Sequence, residues 1–332
     1  MTGGPRAAAD RSAARDPRAG ASLRIAVGPE PAAWVTQAIE RGGGRAVRWD
    51  AAPAGPGEAP AGLVWIDPWA VDGLRAALER HPGVAWVQLP LAGVENLVKA
   101  GAIDRERLWT SAKGAYAEPV AEHAMALLLA GLRRLPERAR AHSWGASGGV
   151  SLFDQPLTVI GAGGVARELL RLLEPYRVQA TVVRHKPGPL PAAWRTLGLD
   201  HLHEALSEAR VVVLAAALTR RTRGLIGRAE LAAMAPGAWL VNVARGELVD
   251  TAALVEALGT GSLGGAALDV TDPEPLPDGH PLWNAPNCLI TPHTADTEEM
   301  TRPLLAARIT ENVRRLTNGE ELVGRVDPDL GY

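Results

Sequence analysis

Residues 157–166 read Leu-Thr-Val-Ile-Gly-Ala-Gly-Gly-Val-Ala, an apolar run that enters a glycine turn and leaves it as a helical pattern. No other stretch of the chain restricts its fold so sharply. Gly161 permits the tight turn, Gly163 removes the side chain that would block a close-lying phosphate, and Ala166 lets the helix settle onto the strand. The helix start, at Gly164 and Val165, turns free N–H groups and a positive dipole end toward an anion, which suits the pyrophosphate of a dinucleotide. With 36 glycines in the chain, a glycine-rich turn can arise for no functional reason. The strand before it and the helix behind it give this one its weight.

Short apolar runs alternate with helical patterns on both sides of that turn. Upstream, strands are predicted over 23–27, 46–49, 63–66 and 85–89, with helices over 31–41 and 71–80. Downstream, six strands are predicted over 157–160, 180–183, 211–214, 239–242, 265–270 and 288–291, with helices between most of them, including 166–173 and 251–258. Strands alternating with helices of this length form parallel sheets. The six-strand unit fits a Rossmann-type sheet, so the fold class is α/β, with two Rossmann-like or flavodoxin-like domains. Between the two units, Glu118–Leu132 is apolar over a wide face and reads as a buried helix at a domain or subunit boundary. A last helix is predicted over 297–317.

Composition narrows the function classes. Among 332 residues, 35 basic side chains face 37 acidic ones, a net charge of −2 that offers no electrostatic footprint for nucleic acid or for an anionic membrane. The single cysteine, Cys288, excludes an intrachain disulfide, and no Cys/His spacing suggests a metal. Residues 1–22, rich in Ala, Arg, Gly and Pro, have no apolar run and read as a disordered tail, neither secretory signal nor membrane anchor. A cytoplasmic protein is expected, with no membrane or nucleic-acid partner.

Three segments place polar residues just past strand carboxyl ends, the edge where open α/β sheets bind ligands. They are Val241–Asp250 with Arg245, Ala267–Leu276 with Asp269 and Glu274, and Leu289–Ala295 with His293. A planar guanidinium such as Arg245 can grip a carboxylate and polarise a neighbouring ketone. An imidazole such as His293 can give a proton to a developing alkoxide or take it back. Glu274 can hold the other ring nitrogen and fix the tautomer. Taken singly, Arg245 can be a turn residue, Glu274 a solvated loop acid, and His293 one of eight histidines. Three such groups at successive strand ends point to hydride transfer at carbon 2 of a small 2-oxo or 2-hydroxy acid, with a nicotinamide as hydride carrier. Arg184, at the end of the second downstream strand, stands where an acid usually meets the ribose 2′-hydroxyl of NAD. With Lys186 beside it, a cation there suits a 2′-phosphate, so NADP is expected over NAD. Ala215, Thr222, Val243, Ala244 and Ala295 are further expected cofactor contacts.

These motifs together resemble the D-isomer-specific 2-hydroxyacid dehydrogenase family over nearly all of residues 23–318. The resemblance is carried by VQLPLAGVENL (87–97), VAEHAMALLL (120–129), VIGAGGVA (159–166), VNVARGELVD (241–250), ALDVTDPEPL (267–276) and TPH (291–293). It implies the same roles for Arg245, Glu274 and His293, a nicotinamide contact for Asp269, and substrate-binding backbone at Ala92, Gly93 and Val94. It also implies a homodimer on the 118–132 helix and a discontinuous substrate domain (23–110 with 296–332) into which the cofactor domain (111–295) is inserted. The chain departs from the family pattern at Lys113-Gly114-Ala115-Tyr116, at Ala215-Ala216-Ala217-Leu218-Thr219, and at Arg184.

Substrate side-chain contacts are expected from Ile66-Asp67-Pro68-Trp69 and Leu89-Pro90-Leu91-Ala92, which carry apolar surface and no Lys or Arg. Glyoxylate, hydroxypyruvate and apolar 2-oxo acids fit better than phosphorylated acids, and the chain ends too soon for the regulatory domain often added to phosphoglycerate-type relatives. Trp69 itself reads as a packed helix-start residue before it reads as a pocket wall. Two alternatives stand beside this reading. One is a related hydride-transfer enzyme: phosphite dehydrogenases keep the His–Glu pair, whereas formate dehydrogenases use Gln. The other is a non-catalytic dinucleotide-sensing protein like the related corepressors.

Overall fold

The computed structural model describes residues 22–51 and 58–328. The expected tail lies outside them but for its last residue.

Two parallel sheets organise the chain. The first takes β1 (Arg24–Gly28), β2 (Arg45–Arg48), β3 (Gly62–Trp65), β4 (Trp86–Gln88) and β5 (Leu108–Thr110), in the order β2-β1-β3-β4-β5. Helices α1 (Ala33–Arg41), α2 (Val71–Arg80) and α3 (Glu95–Lys99) accompany it. Trp65, Trp86 and Trp109 are fully or almost fully buried in it. Helix α4 (Ala117–Leu132) then leads through the short α5 (Leu135–Ala139) into the second sheet.

That sheet contains β6 (Pro156–Ile160), β7 (Gln179–Val183), β8 (Arg195–Leu197), β9 (Val211–Leu214), β10 (Trp239–Asn242), β11 (Gly265–Leu268) and β12 (Cys288–Ile290), in the order β12-β11-β10-β9-β6-β7-β8. From its centre the chain winds first to one edge and then to the other, as a doubly wound sheet does, and the order reverses between β6 and β9. Helices α6 (Gly164–Leu173), α7 (Leu202–Glu208), α8 (Arg228–Ala233) and α9 (Thr251–Thr260) cover its faces, and α10 (Glu298–Asn318) follows it. The central strands are buried on both faces, hence the aliphatic run VVVL of β9 and the mostly apolar PLTVI of β6 and WLVN of β10. In α6, Ala166, Leu169, Leu170 and Leu173 repeat at helical spacing and are all buried.

The chain returns to the first sheet at its end. α10 packs on α1. Its fully buried Asn312 donates from Nδ2 to Gln88 Oε1 (2.8 Å) and to the Val323 carbonyl (2.9 Å), and accepts from the Val323 amide (2.8 Å). The Val326 amide donates to the Trp109 carbonyl.

The fold class stands as expected, with two corrections of detail. The second sheet has seven strands rather than six, because Arg195–Leu197 adds an edge strand of three half-buried residues. The first sheet gains β5, also three residues, and α3, which has only five. Segments this short show no periodicity that would betray them.

Candidate active site

Strands β10, β11 and β12 run side by side in register, with Asn242 opposite Leu268 and Leu268 opposite Ile290. Their carboxyl ends therefore open onto one edge, and Arg245, Glu274 and His293 all lie just beyond it. Asn242 shapes the first loop: its side chain donates to the Arg245 carbonyl and accepts from the Ala244 amide. Arg245 Nη1 donates to the Ala244 carbonyl at 2.7 Å. Its Nε lies 3.3 Å from Glu95 Oε1, an ion pair from the second sheet to α3 of the first.

Glu274 and His293 are joined directly. Nδ1 of His293 lies 2.6 Å from Glu274 Oε1. A carboxylate there keeps the proton on Nδ1 and leaves Nε2 for proton exchange. Both side chains keep about two-fifths of their surface exposed. His293 holds a left-handed backbone (φ 49°), fixed by its amide donating to the Asp269 carbonyl at 2.8 Å. Such a conformation costs a non-glycine residue about 1 kcal/mol and persists where surrounding structure enforces it.

Asp269 provides that enforcement. Its buried carboxylate accepts from Thr291 Oγ1 (2.6 Å) and the Thr294 amide (3.0 Å) on one oxygen, and from the Ala295 amide (3.1 Å) on the other. His123 of α4 adds its Nε2, 3.2 Å from Asp269 and 3.0 Å from Thr291 Oγ1. Burial pushes the Asp269 carboxyl up, but the donors from His123, Thr291, Thr294 and Ala295 together outweigh it and hold its pKa at about 2. Asp296, half-buried close by, is pushed up by burial, with Asp269 adding to the rise and His293 and Arg245 opposing it. One acid thus senses both His293 and Arg245.

The expected substrate-side backbone lies against Arg245. A side chain at Gly93 would begin 1.9 Å from Arg245 Nη2 and 2.4 Å from Glu95 Oε2, so only glycine admits this approach. Among the described residues no acceptor takes the Gly93 or Val94 amide, whereas the Ala92 carbonyl accepts from Ser111. Trp69, expected as packed, is instead 74% exposed, a correction considered below.

The glycine turn fits a dinucleotide. Gly161 has φ 116°, and a Cβ there would lie 2.4 Å from the Ala215 carbonyl oxygen, so glycine is required on two counts. Gly163 faces open space, and α6 starts after it with no side-chain cap, so the first-turn amides at Gly164 and Val165 are left for a ligand. Arg184 directly follows β7, half-exposed with no side-chain partner among the described residues, and Lys186 is exposed close by. Val243, Ala244 and Ala295 are buried at the strand ends. Thr222 spends its hydroxyl on the Ala217 carbonyl and the Thr219 amide, closing its own loop.

The sequence reading missed Glu95, His123 and Asp296. The first two lie inside segments already singled out, VQLPLAGVENL and VAEHAMALLL. Only three-dimensional proximity to Arg245 and Asp269 distinguishes them from surface charges.

Comparison with known proteins identifies the family. The family model "D-isomer specific 2-hydroxyacid dehydrogenase, NAD binding domain" matches residues 123–295. An uncharacterized protein in the proB 3′ region of Corynebacterium melassecola is 39% identical over 255 residues, covering 75% of this chain and 84% of its own length. A glyoxylate reductase of Aeropyrum pernix is 32% identical, covering 67% of this chain and 68% of its own length. A D-isomer specific 2-hydroxyacid dehydrogenase from Xanthobacter autotrophicus Py2, solved with NADPH and MES, superposes with a TM-score of 0.80 at 28% identity, covering 94% of this chain and all of that one. No helix among the described residues is long and apolar enough to cross a membrane. The chain belongs to the D-isomer-specific 2-hydroxyacid dehydrogenase family, nicotinamide-dependent oxidoreductases that act on CH–OH donors.

Proposed function

We propose that this protein reduces the C2 carbonyl of a small 2-oxo acid to the D-2-hydroxy acid, and catalyses the reverse oxidation, with NADP preferred to NAD. The observation that carries the reading is the 2.6 Å Glu274–His293 pair on the same sheet edge as Arg245. Glyoxylate, hydroxypyruvate and apolar 2-oxo acids are the candidate substrates, and the likeness to a glyoxylate reductase supports that size class.

The bound nicotinamide supplies a hydride to C2, or accepts one in oxidation. Gly161, Gly163, Gly164 and Val165 would hold the pyrophosphate through backbone amides. Arg184 and Lys186 would meet the 2′-phosphate, and Asp269, whose carboxylate holds Thr291, Thr294 and Ala295, would contact the carboxamide. Arg245 binds the substrate carboxylate, with the Gly93 and Val94 amides beside it, and its charge polarises the ketone. As negative charge develops on the carbonyl oxygen, His293 donates its Nε2 proton there, and Glu274 stabilises the imidazolium before that transfer. In oxidation His293 takes the proton back.

In this proposal residues 23–110 with 296–332 form the substrate domain and residues 111–295 the cofactor domain. A cytoplasmic homodimer on α4 completes the reading. Leu135, 53% accessible at the start of α5 directly after α4, is an apolar side chain that such an interface would cover.

The test is oxidation of NADPH and NADH by purified protein against a panel of 2-oxo acids, with phosphite plus NADP in the opposite direction. Turnover of 2-oxo acids with an NADPH preference is expected. Tight NADPH binding without turnover would mark a sensor, turnover of phosphite alone a different oxidoreductase, and a clear NADH preference would remove Arg184 from its role.

A further inference from the structure

The first sheet's side of the cleft is apolar at its mouth and acidic behind it. β3 and β4 are parallel neighbours, with Val64 opposite Gln88, so the loops after them leave the same edge. The loop after β3 carries Trp69, 74% exposed, and the loop after β4 carries Leu91, 37% exposed. Trp144, Trp194 and Trp283 are exposed too, so what marks Trp69 is its place on this edge and not its exposure alone.

Its position is not accidental to the site. Asn96 donates from Nδ2 to the Pro68 carbonyl at 2.7 Å, pinning the residue before Trp69 to α3. Asp67 accepts from the Trp69 and Ala70 amides and fixes the turn from the other side. Next to Asn96 stands Glu95, the carboxylate beside Arg245. A set of contacts thus runs from the guanidinium to Glu95, and from the adjoining Asn96 to the backbone just before Trp69.

Charge on this wall has one sign. Residues 66–70 and 89–97 contain Asp67 and Glu95 and no Lys or Arg. Lys113, beyond β5, faces Asp327. Arg245 already has Glu95 on its Nε edge and the Ala244 carbonyl on Nη1. It can neutralise one incoming carboxylate, and a second anionic group would meet Glu95 and Asp67 unpaired.

Resting on the activity proposed above, we infer that this cleft selects 2-oxo acids with a single negative charge and an apolar side chain, Trp69 covering that side chain and Glu95 rejecting a second anion. Burial of an indole against a branched side chain is a gain that glyoxylate cannot collect.

The experiment compares kcat/KM for 4-methyl-2-oxopentanoate, glyoxylate and 2-oxoglutarate in the wild type, Trp69→Ala, Trp69→Phe and Glu95→Gln, with thermal midpoints as a folding control. In the wild type the branched monoanion is expected to exceed both others by about tenfold or more. Trp69→Ala should lower the ratio of 4-methyl-2-oxopentanoate to glyoxylate about tenfold, chiefly through KM, and Trp69→Phe should restore most of it. Glu95→Gln should raise the ratio of 2-oxoglutarate to 4-methyl-2-oxopentanoate by about tenfold. Ratios unmoved by Trp69→Ala, or a wild type that prefers 2-oxoglutarate or glyoxylate, would overturn the inference while leaving the activity intact. A wild type that reduces none of the three, nor hydroxypyruvate, with either nicotinamide overturns the activity itself, and the selectivity claim with it.

Discussion

Replacing Gly93 by alanine tests the approach of Arg245 to the substrate side of the cleft with a single carbon atom. The added Cβ would lie 1.9 Å from Arg245 Nη2 and 3.1 Å from its Cζ. An unbonded carbon–nitrogen contact settles at roughly 3.5 Å, so the guanidinium must retreat by about 1.5 Å or the loop must move as far. Displacement of a substrate-gripping group by about 1 Å can cost on the order of 10²-fold in rate, close to 3 kcal/mol of transition-state stabilisation. Gly93→Ala is therefore expected to lower kcat/KM for a 2-oxo acid by about 10²-fold. NADPH affinity should hold, because the glycine turn lies in the other sheet, and the thermal midpoint should stay within a few degrees. Steady-state kinetics, cofactor fluorescence titration and calorimetry measure the three quantities. An alanine variant with wild-type kcat/KM would show that the guanidinium does not need this position, and the carboxylate-binding role of Arg245 would lose its structural basis.

The parts of this site legible from sequence are those that depend on local order. The glycine turn, the strand it follows and the helix it starts are consecutive, and their residue types are fixed by backbone geometry that glycine alone satisfies. Arg245 and His293 each follow a short, mostly apolar strand pattern, WLVN and CLI, so the sheet edge they share could be anticipated from the sequence. Glu95 and His123 were not legible, because their partners, Arg245 and Asp269, are distant in sequence and nothing in the helices that carry them marks a functional face. Trp69 shows the opposite failure: the general tendency of aromatics to be buried predicts packing, whereas the turn held by Asp67 and Asn96 turns the indole outward. Strands β5 and β8 escaped for a simpler reason, since three residues cannot display a period of two.

Glu274→Gln should leave NADPH binding unchanged and lower turnover by about 10²-fold or more, because a neutral amide cannot stabilise the imidazolium; an unchanged pH–rate profile and rate would remove Glu274 from the mechanism. Asn312→Ala takes the side-chain partner from the part-buried Val323 amide and carbonyl and leaves Gln88 Oε1 with Thr110 as its remaining donor, and urea unfolding should show a loss of about 1–2 kcal/mol; a loss below about 0.5 kcal/mol would mean that water replaces the side chain. The pH dependence of stability tests the network around Asp269. Its folded-state pKa of about 2 lies below the ordinary 3.8, so between these values the unfolded chain binds more protons than the folded one. Stability from this group is therefore fully present above the ordinary value and is lost as pH falls through the folded one. The shift corresponds to about 2 kcal/mol at neutral pH, of which about 1 kcal/mol is gone by pH 3. Asp269→Asn removes the titration, so the stability gap between wild type and variant, read from urea midpoints, should narrow by about that amount as pH falls from 6 to 3. A gap that is independent of pH would mean that the donors from His123, Thr291, Thr294 and Ala295 do not hold an ionised carboxylate. The loop that fixes His293 would then be anchored by packing, not by charge, and His123→Gln should leave both the acid profile and kcat untouched.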